Sequence, residues 1–215
     1  MKNKFITFIL IYFVFNSLAF SQEFIFKTKK IEVTENGKFI NATGGKVLSS
    51  DGNLEISADE FKYNKDKNIL DIYGNGIILI KSQNLEIFFN NSVIDQNNST
   101  IQANGDVRIL DKKENLEIKS ESIFFDQNQK YIKSDTQTNI KDNYQNHYLV
   151  DKFFYEINEN LLKVENLVYK DSQNNIMQTS LAYINTETKR LFGKDIKDDL
   201  NNKSFDNNNE PRMKG

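Results

Sequence analysis

Asn53-Leu54-Glu55-Ile56 returns as Asn84-Leu85-Glu86-Ile87 and again as Asn115-Leu116-Glu117-Ile118, at a constant spacing of 31 residues. Recurrence in register means one structural unit used repeatedly, so the unit is read before any local propensity. Outward from the tetrapeptide the register persists. Tyr63, Ile94 and Phe125 share one slot, and Asn64, Asp95 and Asp126 the next, an apolar strand end followed by a turn former. Polar stretches follow at 65–68, 96–99 and 127–130, after which Leu70, Ile101 and Ile132 restore an apolar slot. Gly74 and Gly105 occupy one position, with Thr136 in the third copy, and Ile78, Ile109 and Ile140 follow in phase. Glycine there suggests a positive-φ turn or bulge.

Within the unit, apolar residues recur every second position, as in Leu54-x-Ile56-x-Ala58 and Leu116-x-Ile118. That is the period of a strand with one buried face. A helix would need apolar residues at i, i+3, i+4 and i+7, which these segments do not sustain. Each unit is therefore predicted to hold three short strands separated by Asn/Asp/Lys/Gly turns. The pattern decays toward both ends, with a partial unit from about Phe24 and weaker strands through Phe153, Leu162, Leu181, Tyr183 and Ile196. Atypical end units are expected of a repeat array.

Residues 1–21 read as a signal peptide: Lys2 and Lys4, the apolar run Phe5 to Phe15, and Ala19 and Ser21 three and one before Gln22. The apolar run is shorter than the roughly 20 residues of a spanning helix. Its removal leaves 194 residues and moves the formal charge from −2 to −4. A mildly acidic chain gives no footprint for nucleic acid. With no cysteine, stability must come from burial and ladder hydrogen bonds, and the single proline, Pro211, leaves the interior free for strands. Residues 197–215 offer few apolar side chains and read as a flexible polar tail, or as a linker to a β-barrel missing from this chain.

Ile56-Ser57-Ala58-Asp59-Glu60-Phe61-Lys62-Tyr63-Asn64, with Leu70-x-Ile72-x-Gly74 and then Ile101-Gln102-Ala103-Asn104-Gly105-Asp106-Val107, resembles the OstA-like repeat of the lipopolysaccharide-transport family. The resemblance covers roughly residues 24–196, within a jellyroll domain expected over residues 22–196. The end of the chain, from Leu191-Phe192-Gly193-Lys194-Asp195-Ile196 to Gly215, is more similar to the periplasmic N-terminal domain of the assembly protein LptD than to the soluble bridge LptA, the second choice. It departs from LptD in having neither cysteines nor a barrel. The resemblance implies an all-β, elongated antiparallel β-jellyroll in the periplasm, associated with the outer membrane, that shields the lipid A acyl chains of lipopolysaccharide. It implies stacking on other OstA-like jellyrolls through the edge strands near Phe24 to Val33 and Leu181 to Ile196, and possibly an outer-membrane β-barrel as partner. No cofactor, no metal and no enzymatic activity are implied.

The inward-facing candidates for a lipid groove are Leu54, Ile56, Ala58, Phe61, Tyr63, Leu85, Ile87, Phe89, Ile101, Ala103, Leu116, Ile118 and Phe125. An ordinary closed sandwich core explains the same residues equally well. The edges also have an alternative, since Lys27, Lys29 and Lys30 could blunt the first. His147 is the only histidine and reads as a surface or turn residue; it supplies no triad and no zinc site. Adjacent carboxylates such as Asp59-Glu60 point to opposite faces of a strand and read as solvated charge. Outside the family, a secreted structural or adhesive β-solenoid with a dry core fits the repeats, and a β-helical polysaccharide lyase is a more distant alternative.

Overall fold

The structure is a computed structural model that describes residues 24–199. The expected signal peptide lies outside the described residues, as does the tail beyond Asp199. Fifteen strands form one antiparallel sheet: β1 (Phe24–Thr34), β2 (Phe39–Ser49), β3 (Leu54–Asn64), β4 (Ile69–Ile80), β5 (Leu85–Asp95), β6 (Thr100–Asp111), β7 (Leu116–Asp126), β8 (Tyr131–Ser134), β9 (Thr138–Lys141), β10 (His147–Val150), β11 (Lys152–Glu156), β12 (Leu161–Lys170), β13 (Ile176–Asn185), β14 (Leu191–Lys194) and β15 (Lys197–Asp199). Helix is confined, among the described residues, to two single 3-10 turns, Glu35–Gly37 and Lys81–Gln83. The all-β antiparallel class expected from the period of two is the class found.

The order is a simple meander. β8 and β9 both pair with β7, each along one half of it, and together make one interrupted strand. β10 and β11 do the same against β12, and β14 and β15 against β13. Twelve strand lines thus lie side by side, an array roughly 50 Å long at strand spacing.

The 31-residue unit corrects the expectation of three short strands: it holds two long ones, each broken in the middle. Register shifts fall between Ser57 and Glu60, Tyr73 and Gly76, Phe88 and Asn91, and Asn104 and Val107, one beside the next. Gly74 (φ 73) and Gly105 (φ 77) lie in that line with a left-handed backbone, so the glycine slot marks a bulge within a strand. In β3 the inward residues are Leu54 and Ile56 before the break and Phe61 and Tyr63 after it; the bulge shifts the alternation by one and keeps both halves facing inward.

A line of bulges creases the sheet, and the two halves fold face to face. Contacts across the gap run obliquely: the Phe24 ring on β1 meets Tyr63 on β3 edge-on at 5.3 Å, and Tyr155 on β11 reaches Asp111 on β6. The cross-section is a V, with the crease on one side and two rows of turns along the mouth. Each turn is built locally. Asp95, Asp111 and Asp126 accept hydrogen bonds from the backbone N–H groups two and three residues on, and Ser99, Asn115 and Lys130 follow with positive φ.

Candidate functional site

The recurring tetrapeptide shows how sequence makes the interior. Asn84 (φ 53) and Asn115 (φ 54) supply the left-handed residue that ends the turn. In the first copy Gly52 (φ 71) takes that role, and Asn53 Oδ1 instead accepts the Ser82 N–H at 2.9 Å, tying one turn to the next. Leu54, Leu85 and Leu116 and then Ile56, Ile87 and Ile118 point inward and are buried. The glutamates between them point outward and meet cations on neighbouring strands and turns: Glu55 with Lys46 at 2.5 Å and Lys81 at 3.8 Å, Glu86 with Lys112, and Glu117 with Arg108 at 3.8 Å. The hydrogen bond from Lys46 is the main influence on the Glu55 carboxyl and holds it below the usual carboxylate range. Such exposed pairs add solubility and register more than stability.

Cross-strand pairing turns these positions into ladders along the array. In one layer Val47, Ile56, Ile78, Ile87, Ile109, Ile118 and Ile140 pair in succession. In the other, Ile40, Tyr63, Leu70, Ile94, Ile101, Phe125 and Ile132 do so, continuing through Tyr155, Leu162 and Ile184. All of them belong to one apolar cluster. Each fully buried side chain of this size contributes roughly 1.5–3 kcal/mol relative to exposure.

Of the thirteen residues singled out from sequence, twelve are buried in this cluster, and Ala58 is partly buried against it. The residues named from sequence therefore lie together in one core, and the interior is closed: Ile56, Phe61, Ile87, Ile101 and Phe125 have no exposed surface. Sequence reasoning did not number Ile72, Ile78, Ile94, Ile109, Ile132 and Ile140 among the candidates, although each lies one or two periods of 31 from another core residue. It also missed Asp111, a buried carboxylate in the slot that Ile80 fills one repeat earlier. His147 is exposed at the start of β10, and Asp59 and Glu60 lie at the crease.

The ends of the V differ from its middle. Among the described residues β1 has one hydrogen-bonded neighbour, β2, and its other edge is open. Ile31 and Val33 on β1 pair with the buried Ala42 and Ile40, so they continue the inner face, yet they are 51% and 55% exposed. At the far end β13 carries both β14 and β15, and the last of these, Lys197–Asp199, pairs with Ile176 to Gln178 inside the stretch read as a tail. No helix among the described residues is long and apolar enough to cross a membrane, which leaves open crossing by strands.

No family model matches the chain, and no curated protein does. Among solved structures it is similar to LptH, described as the LptA-homologous periplasmic component of the lipopolysaccharide transport device of Pseudomonas aeruginosa. Identity is 7%, the match covers 69% of this chain and 94% of that one, and the TM-score is 0.30. A second similarity, to the TCP10 domain of Danio rerio CPAP, has 11% identity, covers 75% of this chain and 91% of that one, and has a TM-score of 0.17. At TM-scores this low neither similarity carries weight for fold or function, which rest on the chain's own residues.

Proposed function

We propose that this chain carries lipid in lipopolysaccharide transport, in the periplasm beside the outer membrane, holding acyl chains between the two layers of the creased sheet. The observation that carries the reading is the set of apolar ladders running without a lateral break along one inner face, between layers joined by covalent strands only at the crease. A lipid chain enters by parting the two rows of turns. Parting exposes apolar side chains, and the chain covers them again at about 0.8 kcal/mol per methylene withdrawn from water. The groove residues are those named from sequence, Leu54 to Phe125, and the chemistry is binding alone.

The open edge of β1, with Ile31 and Val33 exposed beside it, suits the addition of a further strand from another OstA-like sheet. The resemblance of the chain's end to LptD makes the periplasmic domain of an outer-membrane assembly protein, working with a β-barrel, our first choice; an LptA-like bridge is the second. Residues 1–21 act as the export signal in either case.

The near-zero exposure of the interior favours a second reading, a structural β array with a permanently dry core. Photocrosslinking separates the two. A photoreactive amino acid at Phe61 or Ile87 should capture lipopolysaccharide in cells of a lipopolysaccharide-producing host. A folded protein that captures no lipid from any of the thirteen inner positions is a structural array.

A further inference from the structure

The interior changes character between the second and third repeats. Ten polar residues are buried among those described, and eight of them come at or after Asp111: Asp111, Glu114, Ser120, Ser134, Thr138, Asp142, Thr179 and Thr186. The two earlier ones, Ser49 and Ser92, are satisfied by nearby backbone, Ser49 Oγ accepting the Leu54 N–H at 2.8 Å and Ser92 Oγ donating to the Gln102 carbonyl at 2.8 Å. Slot by slot, Ile80 becomes Asp111 and then Asp142, Phe89 becomes Ser120, and Ala103 becomes Ser134.

Asp111, Ser120 and Ser134 tie the layers together at both sides of the V. At the mouth, Asp111 Oδ1 caps its own turn by accepting the Lys113 and Glu114 N–H groups at 2.9 Å each, while Oδ2 accepts the Tyr155 hydroxyl at 2.8 Å from the opposite layer. Lys113 Nζ donates to Asn160 Oδ1 at 3.1 Å, and Lys189 Nζ to the Glu114 carbonyl at 3.3 Å, so the same turn is held to two turns of the facing row. At the crease, the hydroxyls of Ser120, Ser134, Thr136 and Thr138 form a cluster with 2.9 Å spacings. Ser120 and Thr138 belong to one layer and Ser134 to the other.

A buried hydrogen-bonded group resists separation from its partner, because an opening without water leaves both unsatisfied. An acyl chain offers neither donor nor acceptor. We propose that this clasp divides the interior into two compartments: acyl chains lie in the part from β1 to the inner face of β7, and the part from β8 onward stays shut as a rigid abutment. The division rests on the lipid-carrying reading for its ligand, while the clasp itself can be tested without lipid.

The experiment is amide hydrogen exchange followed by mass spectrometry on the full chain, with and without purified lipopolysaccharide, for wild type, Tyr155→Phe and Ser120→Ala. Tyr155→Phe keeps the ring and removes only the hydroxyl. Without lipid, exchange in 111–116 and 156–161 should rise about tenfold in Tyr155→Phe, with peptides of 39–64 unchanged. Ser120→Ala should loosen 131–141 in the same way. Unchanged exchange in both variants overturns the clasp. With lipid, the wild type should change within 39–95 and not within 147–185; change of similar size in both regions overturns the division. Lipopolysaccharide without effect on any peptide overturns the lipid reading, and the lipid-free arm still decides the clasp.

Discussion

The first six strands and the strands after them share a repeat, a crease and a register, yet they are held shut by different forces. Between β1 and β6 the layers meet through branched aliphatic and aromatic side chains, an adhesion that is large and non-directional. From Asp111 onward some of the inner slots carry carboxylates and hydroxyls instead, bonded to partners in the opposite layer or near their own turns. An apolar contact can be exchanged for another apolar group at little cost, whereas a buried hydrogen bond can be exchanged only for another polar group. Two regions with one backbone plan can therefore differ in what they admit.

The contrast can be broken most severely in the apolar half. Phe61→Ala removes a fully buried ring and should cost about 3–5 kcal/mol, read as a lower denaturant midpoint. A loss below 1 kcal/mol would mean that this half is already loosely packed. Asp111→Ala should cost about 2–3 kcal/mol, since it strands the Tyr155 hydroxyl and two turn N–H groups. Combining it with Tyr155→Phe should recover part of that loss, and a strictly additive double variant would show that the two side chains act separately.

The smallest effect sharpens the same contrast through pH. Burial, reinforced by the Asp111 and Asp142 carboxylates, pushes the Tyr155 and Tyr148 hydroxyls well above the ordinary value of 10.0. Once pH passes 10.0, the unfolded chain ionises these two groups and the folded chain does not. Stability is thus complete below that pH and falls above it, by about 1 kcal/mol per pH unit for each tyrosine. Stopped-flow absorbance should detect two tyrosinates that appear only at the rate of unfolding; their ionisation within the mixing time would place both hydroxyls in water.

Much of the candidate site was legible because a strand with one wet face writes its period directly into the sequence. Leu54, Ile56, Leu85, Ile87, Leu116 and Ile118 needed only alternation and a spacing of 31. The break within each strand was harder. Gly74 and Gly105 signal a turn and a bulge equally well, and the reading of three short strands took the wrong alternative: a bulge keeps hydrogen bonding on both sides, and only the partner strand reveals that. Asp111 in an isoleucine slot was a visible departure, but its meaning lay in Tyr155, 44 residues away. Whether the inner face was open or sealed was not legible either, since either arrangement needs the same apolar residues.

By itself the sequence determined the strand class, the length of the repeat, the turn chemistry and the side of each strand that avoids water. These are local properties, set by the backbone preferences of Asn, Asp and Gly and by alternation along a single strand. The tertiary structure alone decided that the bulges line up as a crease, that the two halves close on each other obliquely, and that Asp111 meets Tyr155 across the gap. Those outcomes depend on register between strands and on the facing of two layers, which join residues far apart in the chain and leave no periodic mark within any one segment.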